Sequence, residues 1–225
     1  MKNPDIINPI MDASNDGHER GVTNPITGDN DHAAEDDSAA LSFKQINDVF
    51  KQIRVPSLSV FSVFAVTIGL FPSLIVLLES ENKCKNDSRF YNDLYVPFFF
   101  LLFNLFDLIG RVTAGAIAPL FTVNTVWIAS AARLVFFPLF LFCNITDSQL
   151  PVLFKSDAFP ILFMILLAFS NGYVASLCMM MGAGSVPPKD APVAGTIMVF
   201  SLTCGLCMGA CLSFIVVLIS QGSVA

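Results

Sequence analysis

The stretch FNLFDLIGR, residues 103–111, places an acid and a base one helical turn apart among apolar neighbours. If the stretch is a helix, one face carries residues that step by four, three, four and four positions, namely Phe100, Asn104, Asp107, Arg111 and Gly115. A charged side chain at the centre of a bilayer costs about 2.5–3.5 kcal/mol. This charged face therefore needs either a partner helix or water.

Two interpretations of the charged face follow from the residues alone. Arg111 can reach back to Asp107, and the resulting ion pair could join helices or fix their register. Alternatively, a carboxylate, a guanidinium and the amide of Asn104 could line a water-filled cavity. Such a set of donors and acceptors suits a neutral solute with adjacent hydroxyls, such as a sugar or the ribose of a nucleoside. Phe100 could then lie against a ring face.

The residue types argue against catalysis and against bound metal. Asp107 is the only carboxylate within an apolar span, no span contains a histidine, and the nucleotide-binding pattern G-x4-G-K-[ST] is absent. The three cysteines at 204, 207 and 211 have neither histidine nor acid beside them, so they do not predict a metal site. We expect a protein that is not an enzyme and that needs no cofactor.

Composition indicates a membrane protein. Hydrophobic residues make up 54% of the 225 residues and charged residues only 13%, about half the usual charged share of a soluble domain. Most of the net charge of −6 lies before residue 56, so the acidity belongs to a tail and predicts no nucleic-acid partner. We expect residues 1–40 to be a disordered acidic cytosolic tail and residues 41–54 to be an amphipathic helix at the membrane surface.

The remainder of the chain, residues 55–220, predicts an all-α polytopic bundle of five transmembrane helices. Each span is long enough for about 30 Å of hydrocarbon. The predicted spans are approximately 56–78, 95–118, 124–143, 158–182 and 192–219. Residues 221–225 would form a short tail on the outer side.

Flanking charges and glycosylation signals predict the same orientation. The bases Lys44, Lys51 and Arg54 precede the first span, which favours a cytosolic N-terminus. Five crossings then place the C-terminus outside the cell. The two Asn-x-Ser/Thr signals, at Asn86 and Asn144, both fall in predicted outer loops.

Small residues and isolated polar residues predict how the spans pack. Gly205 and Gly209 on the fifth span, Gly110 on the second and Gly172 on the fourth belong to four-residue steps of small side chains, which allow close helix approach. Pro72 predicts a kink within the first span.

Two further polar residues lie within the predicted spans. Arg133 lies near the predicted cytosolic end of the third span. We expect it to extend to the membrane surface or to contact an inner gate rather than substrate. Asn171 could either line a cavity or make an interhelical hydrogen bond.

Four motifs together resemble the C-terminal half of the equilibrative nucleoside transporters. They are FNLFDLIGR, ARLVFFPLFLFCN (132–144), DAFPILFMILLAFSNGYVASLCMM (157–180) and TIGLFPS (67–73). The resemblance covers roughly residues 41–220 in order. It implies an eleven-helix transporter similar to the major facilitator fold, of which this chain carries helices seven to eleven.

The resemblance also implies a function and site residues. The family moves nucleosides, and sometimes nucleobases, down their gradients by alternating access. By the resemblance, Asp107 and Arg111 contact the ribose, Asn104 matches the asparagine of the same motif, and Phe71 matches an aromatic residue near the cavity.

The resemblance leaves the first six helices of that architecture unmatched, which makes partners part of the expectation. We expect transport, most simply at the plasma membrane, when the chain pairs with a second copy or with a full-length relative. The alternative is a half-length partner that does not transport and instead modulates a full-length transporter.

Overall fold

The computed structural model describes residues 28–81, 89–117, 120–145, 151–154 and 156–221, with side chains from Ser42 onward. The chain divides into two compact units, Met1–Leu41 and Ser42–Ala225. In the first unit only the helical residues 28–41 are described, and residues 1–27 of the predicted tail lie outside the described part.

The first helix, α1, runs without interruption from Gly28 to Leu70. It begins inside the segment predicted to be disordered, where the Ala-rich residues 33–40 are good helix formers. The predicted surface helix, residues 41–54, is continuous with the first span rather than separate from it. Within that stretch Val49 and Ile53 are buried, whereas the apolar side chains of Phe43, Ile46 and Phe50 are exposed. Its location at the membrane surface stays a prediction.

Pro72 ends a helix instead of bending one. Helix α1 stops at Leu70, the Phe71–Pro72 peptide is cis, and a short 3-10 turn follows at Ile75–Leu77. The prediction of a mid-span kink is therefore wrong. Proline disfavours helical backbone at the preceding residue and has no N–H to donate, so a helix commonly ends before it.

Three further long helices match predicted spans closely. Helix α2 is Tyr95–Ala116, preceded by a π turn at Phe90–Leu94. The other two are α5, Ala158–Gly184, and α6, Ala191–Gln221. Together with the apolar part of α1, the described residues contain four helices that are long and apolar enough to cross a membrane.

The third predicted span is shorter and broken. It consists of α3, Val126–Ala132, a 3-10 turn at Arg133–Val135, and α4, Phe136–Leu141. Pro138 has no N–H for the carbonyl four residues earlier, at Leu134, so regular helical bonding cannot continue through the turn. The five apolar segments are thus present, but the third is not one continuous long helix.

At the predicted outer end, the described loops are joined by short backbone contacts. Leu78 pairs with Ile145, and Cys143 pairs with Phe154, as isolated β-bridges. The side-chain amide of Asn144 donates to the carbonyl of Glu79 at 3.0 Å. Asn86, the other predicted glycosylation residue, lies outside the described residues.

Two apolar clusters form the interior of the second unit. One contains Leu70, Phe99, Phe140 and Leu167, and the other is built around Val63, Val174 and Cys178 from α1 and α5, together with residues of α6. Helix α5 contributes to both clusters. Since Thr67 lies between Val63 and Leu70 on α1, and Asn171 between Leu167 and Val174 on α5, polar side chains occupy the level where the clusters meet.

Glycines allow the helices to approach closely at two crossings. A Cβ at Gly172 would collide with the carbonyl oxygen of Asp107, and one at Gly110 with that of Phe169, so α2 and α5 touch through backbone. A Cβ at Gly205 would lie 2.5 Å from the carbonyl oxygen of Phe61, on α1. The predicted packing role of these small residues is confirmed.

The substitution Gly172→Ala is expected to destabilise the fold. The added methyl group would force α2 away from α5, and overpacking of this kind costs about 1–3 kcal/mol. The matched control is Gly115→Ala, where no atom lies within 4 Å of the new Cβ. Thermal unfolding of the purified chain in detergent is expected to show a melting temperature several degrees lower for the first variant only. Equal melting temperatures would contradict the close crossing.

Candidate functional site

The polar face predicted on α2 is open along its length. Asn104, Arg111 and Gly115 are exposed, and Phe100 and Asp107 are partly buried. The Asn104 amide donates to the carbonyl of Phe100, one turn earlier, at 2.8 Å. A Cβ at Gly115 would meet no atom within 4 Å. The structure therefore keeps the five predicted residues together on one accessible face.

The acid and the base form an ion pair on this face. Arg111 donates from Nε to Oδ2 of Asp107 at 2.7 Å. The Arg111 side chain is 45% exposed, whereas that of Asp107 is 15% exposed. Within the described part of the chain, no hydrogen bond joins either terminal amino group of Arg111 to another residue, so both groups remain at the open side. The carboxylate is thus the inner member of the pair and the guanidinium the outer one.

Asn171 lies behind the carboxylate. Its Nδ2 donates to Oδ1 of Asp107 at 2.7 Å, from α5 to α2, and the residue is only 3% exposed. Of the two roles that its sequence position allowed, the structure shows the interhelical hydrogen bond. The other role, lining an open cavity, needs an exposed side chain, and only 3% of Asn171 is exposed in this structure.

Arg133 is buried in the bundle instead of extending to the membrane surface, so that expectation is wrong. The residue is 1% exposed. Its Nη1 donates to the carbonyl of Leu167, at 3.0 Å, and to the hydroxyl of Ser170. The broken third span positions Arg133 beside α5, where a carbonyl and a hydroxyl can accept from it.

Thr67 on α1 completes the network, although its place in the sequence does not indicate this role. Its hydroxyl accepts from Nη2 of Arg133 at 2.6 Å and lies 2.7 Å from Oδ1 of Asn171, to which it can donate. Nη2 of Arg133 also approaches that Oδ1, at 3.5 Å. The available signals were weak, since Thr67 is simply the first residue of TIGLFPS and Ser170 simply precedes Asn171.

The aromatic residues flank this site. The ring of Phe71 stacks on Phe103 with centroids 4.3 Å apart and lies 4.8 Å from the ring of Phe100. The turn at Pro72 thus brings the end of α1 against α2, one helical turn from Asn104. Phe71 and Phe100 form an apolar wall next to the polar face.

The charges of the network are unequal in number. It contains two guanidinium groups, of Arg111 and Arg133, and one carboxylate, of Asp107. Among the described residues, no carboxylate lies within ion-pair distance of Arg133, and its Nε has no hydrogen-bond partner.

No group of three potential metal ligands occurs in the described part of the chain. The arrangement can bind a polar solute, but it does not contain a nucleophile with an adjacent base.

Comparison with known proteins identifies the family. The model of the nucleoside transporter family matches residues 10–218. The chain belongs to this family. Over 175 residues it is 44% identical to equilibrative nucleoside transporter 1 of Rattus norvegicus, which covers 76% of this chain and 38% of the relative.

Other relatives agree. Identity is 38% to equilibrative nucleoside transporter 2 of Homo sapiens, over 74% of this chain and 36% of the relative. The chain is 34% identical to equilibrative nucleoside transporter 3 of Rattus norvegicus, over 77% of this chain and 37% of the relative. The chain therefore spans less than two fifths of the length of these relatives, and they are transporters rather than enzymes. Family membership and the apolar helices together make it a multi-pass integral membrane protein.

Thr67→Val is expected to weaken the bundle through the polar network. The isosteric change leaves Arg133 and Asn171 each without one buried partner, and an unsatisfied buried polar group costs about 1–3 kcal/mol. Thr113→Val on α2 is the matched control, because the Thr113 hydroxyl bonds only to the carbonyl of Ile109 in its own helix. A clear drop in melting temperature is expected for Thr67→Val alone. A similar drop in both variants would contradict a special role of Thr67.

Proposed function

We propose that this chain forms the ribose-contacting part of an equilibrative nucleoside transporter, which moves nucleosides across a membrane by alternating access. The relatives that the chain matches are named equilibrative nucleoside transporters. In the proposed mechanism, the ribose hydroxyls donate to the Asp107 carboxylate and accept from the Arg111 guanidinium. Asn104 supplies an amide at the edge of the same site.

The observation that carries this proposal is the asymmetric exposure of the ion pair. A purely structural clamp between helices would be buried at both of its members, whereas the Arg111 side chain is 45% exposed and the Asp107 side chain 15% exposed. A neutral solute with adjacent hydroxyls can share both charged groups without bringing a charge of its own into the membrane. Phe100 and Phe71 offer an apolar surface beside it.

A complete carrier needs a second wall opposite this face. In transporters built from two halves, the solute lies between the halves, near the middle of the membrane. We propose that further apolar spans, from a second copy or from a full-length relative, cover the open face of α2 and contact the base. We further propose that the assembly works in the plasma membrane with the N-terminus of this chain in the cytosol and its C-terminus outside.

Asp107→Asn and Arg111→Lys are each expected to lower saturable uptake of labelled uridine at least tenfold in the assembled carrier. The first change removes the acceptor charge, and the second removes the planar donor that can bind two oxygens at once. Uptake per molecule at the cell surface is the measurement. Asp93→Asn and Arg89→Lys, at exposed residues before α2, are the matched controls. Unchanged uptake in the first two variants would contradict ribose contact.

The alternative is a modulating partner that does not itself transport. Large apolar side chains along α6 are exposed in the structure, among them Phe200 and Phe214, and they could pack against a full-length transporter. Co-expression separates the two proposals. In one arm the full-length partner carries an inactive site. The carrier proposal predicts that the co-expressed pair takes up uridine when this chain is unchanged, and that this uptake is lost when this chain carries Asp107→Asn. The modulator proposal predicts that this chain lowers uptake by a full-length partner whose site is active, whichever residue this chain has at position 107.

A further inference from the structure

We propose that Arg133 and Asn171 are positioning residues, which orient the Asp107 carboxylate toward the substrate through a directed chain of hydrogen bonds. The proposal rests on the proposed function and deepens it. Neither residue reaches the open face, since they are 1% and 3% exposed. Any influence on substrate must therefore pass through Asp107.

The direction of the chain is set at Asn171. A guanidinium has donors only, so the amide group must present its oxygen to Arg133 and its amino group to the carboxylate of Asp107. The reverse orientation would place the amino group of Asn171 against the guanidinium of Arg133, and its oxygen against the carboxylate of Asp107. Thr67 reinforces the observed orientation, because its hydroxyl lies 2.7 Å from the same amide oxygen. Arg133 thus favours one of two orientations of a buried amide, chiefly through the Thr67 hydroxyl, because its own Nη2 lies 2.6 Å from that hydroxyl and 3.5 Å from the amide oxygen.

The amide in turn selects one orientation of the carboxylate. Oδ1 of Asp107 accepts from Asn171 on the buried side, and Oδ2 accepts from Arg111 on the open side, both at 2.7 Å. A turn of the carboxylate away from this plane would break both hydrogen bonds. Oδ2 keeps acceptor capacity beside the outer donors of Arg111, and a pair of adjacent hydroxyls needs both an acceptor and donors.

Arg133 itself is held by neutral groups and not by an acid. It donates to Leu167, Ser170 and Thr67, on two different helices. Because no described carboxylate pairs with it directly, its nearest compensation is the Asp107 charge at the far end of the amide. A buried cation linked to a substrate-facing anion through one amide would make substrate affinity depend on a residue that substrate never touches.

The first test separates substrate affinity from folding. In the assembled carrier, Arg133→Met and Asn171→Leu are expected to raise the KM for uridine five- to tenfold, with maximal uptake per surface molecule changed less than twofold. Arg133→Lys, which keeps a donor and the charge, is expected to recover part of the affinity. Unchanged KM in Arg133→Met and Asn171→Leu would overturn the proposal, and if Arg133→Met fails to fold, unchanged KM in Asn171→Leu does so alone.

Ser201→Ala is the matched control for a purely structural contact. The Ser201 hydroxyl bonds that of Ser57 between α6 and α1 at 2.6 Å, away from Asp107. We expect this variant to lower the melting temperature while leaving the KM for uridine unchanged. An equal rise of KM in Ser201→Ala would show that loosening the bundle is sufficient, and the positioning role would be overturned.

A second test does not depend on transport. Melting temperatures of the purified chain are measured for Asp107→Asn, Arg133→Lys and the double variant, with Asn171 present and then replaced by leucine. The proposal predicts that the two single effects are non-additive by several degrees, and that replacing Asn171 removes most of this coupling. Additive effects with Asn171 present would overturn the positioning role. If wild-type assemblies move no nucleoside but the coupling is found, the proposed function fails and the hydrogen-bond chain stands.

Discussion

A buried guanidinium between two apolar clusters is the constraint on which the rest of this structure depends. Arg133 has 1% exposure and five donors, and hydrocarbon offers no acceptor for any of them. The bundle must therefore bring a carbonyl, two hydroxyls and an amide to one point from α1 and α5. These contacts hold the first, third and fourth apolar segments together at the level where Asp107 lies on α2.

Three consecutive residues of α5 meet this constraint in three different ways. Ser170 accepts from Arg133, Asn171 carries the hydrogen-bond chain to Asp107, and Gly172 lets the backbone of α2 come close enough for that amide to reach. A side chain at the third position would separate the helices and break the second contact. The packing of the bundle and the geometry of the charged face are thus consequences of the same short motif.

Much of this arrangement could be predicted from the sequence, because its signals are local. Helical spacing placed Asp107 and Arg111 on one face, apolar length located the spans, and four-residue steps of glycine located the close crossings. The inward direction of Arg133 could not be predicted, since it depends on a 3-10 turn before Pro138 and on acceptors 34 to 66 positions away. Spacing alone does not tell whether a proline bends a helix or ends it, so the break at Pro72 could not be predicted. Thr67 gives no signal, because a single threonine in an apolar helix usually donates to its own backbone, and the carbonyl of Val63 lies 2.8 Å from the same hydroxyl.

The resulting site has a closed back and an open front. Its back is the hydrogen-bonded polar layer, and its front is the face of α2 that carries Asn104 and Arg111. The most direct measurement is modification of Asn104→Cys by a charged, water-soluble thiol reagent, in an assembled carrier whose native cysteines are replaced, with and without uridine. The account predicts rapid labelling that uridine slows. Labelling that is absent in every condition, or that uridine leaves unchanged while uptake is saturated, would contradict a nucleoside site on this face.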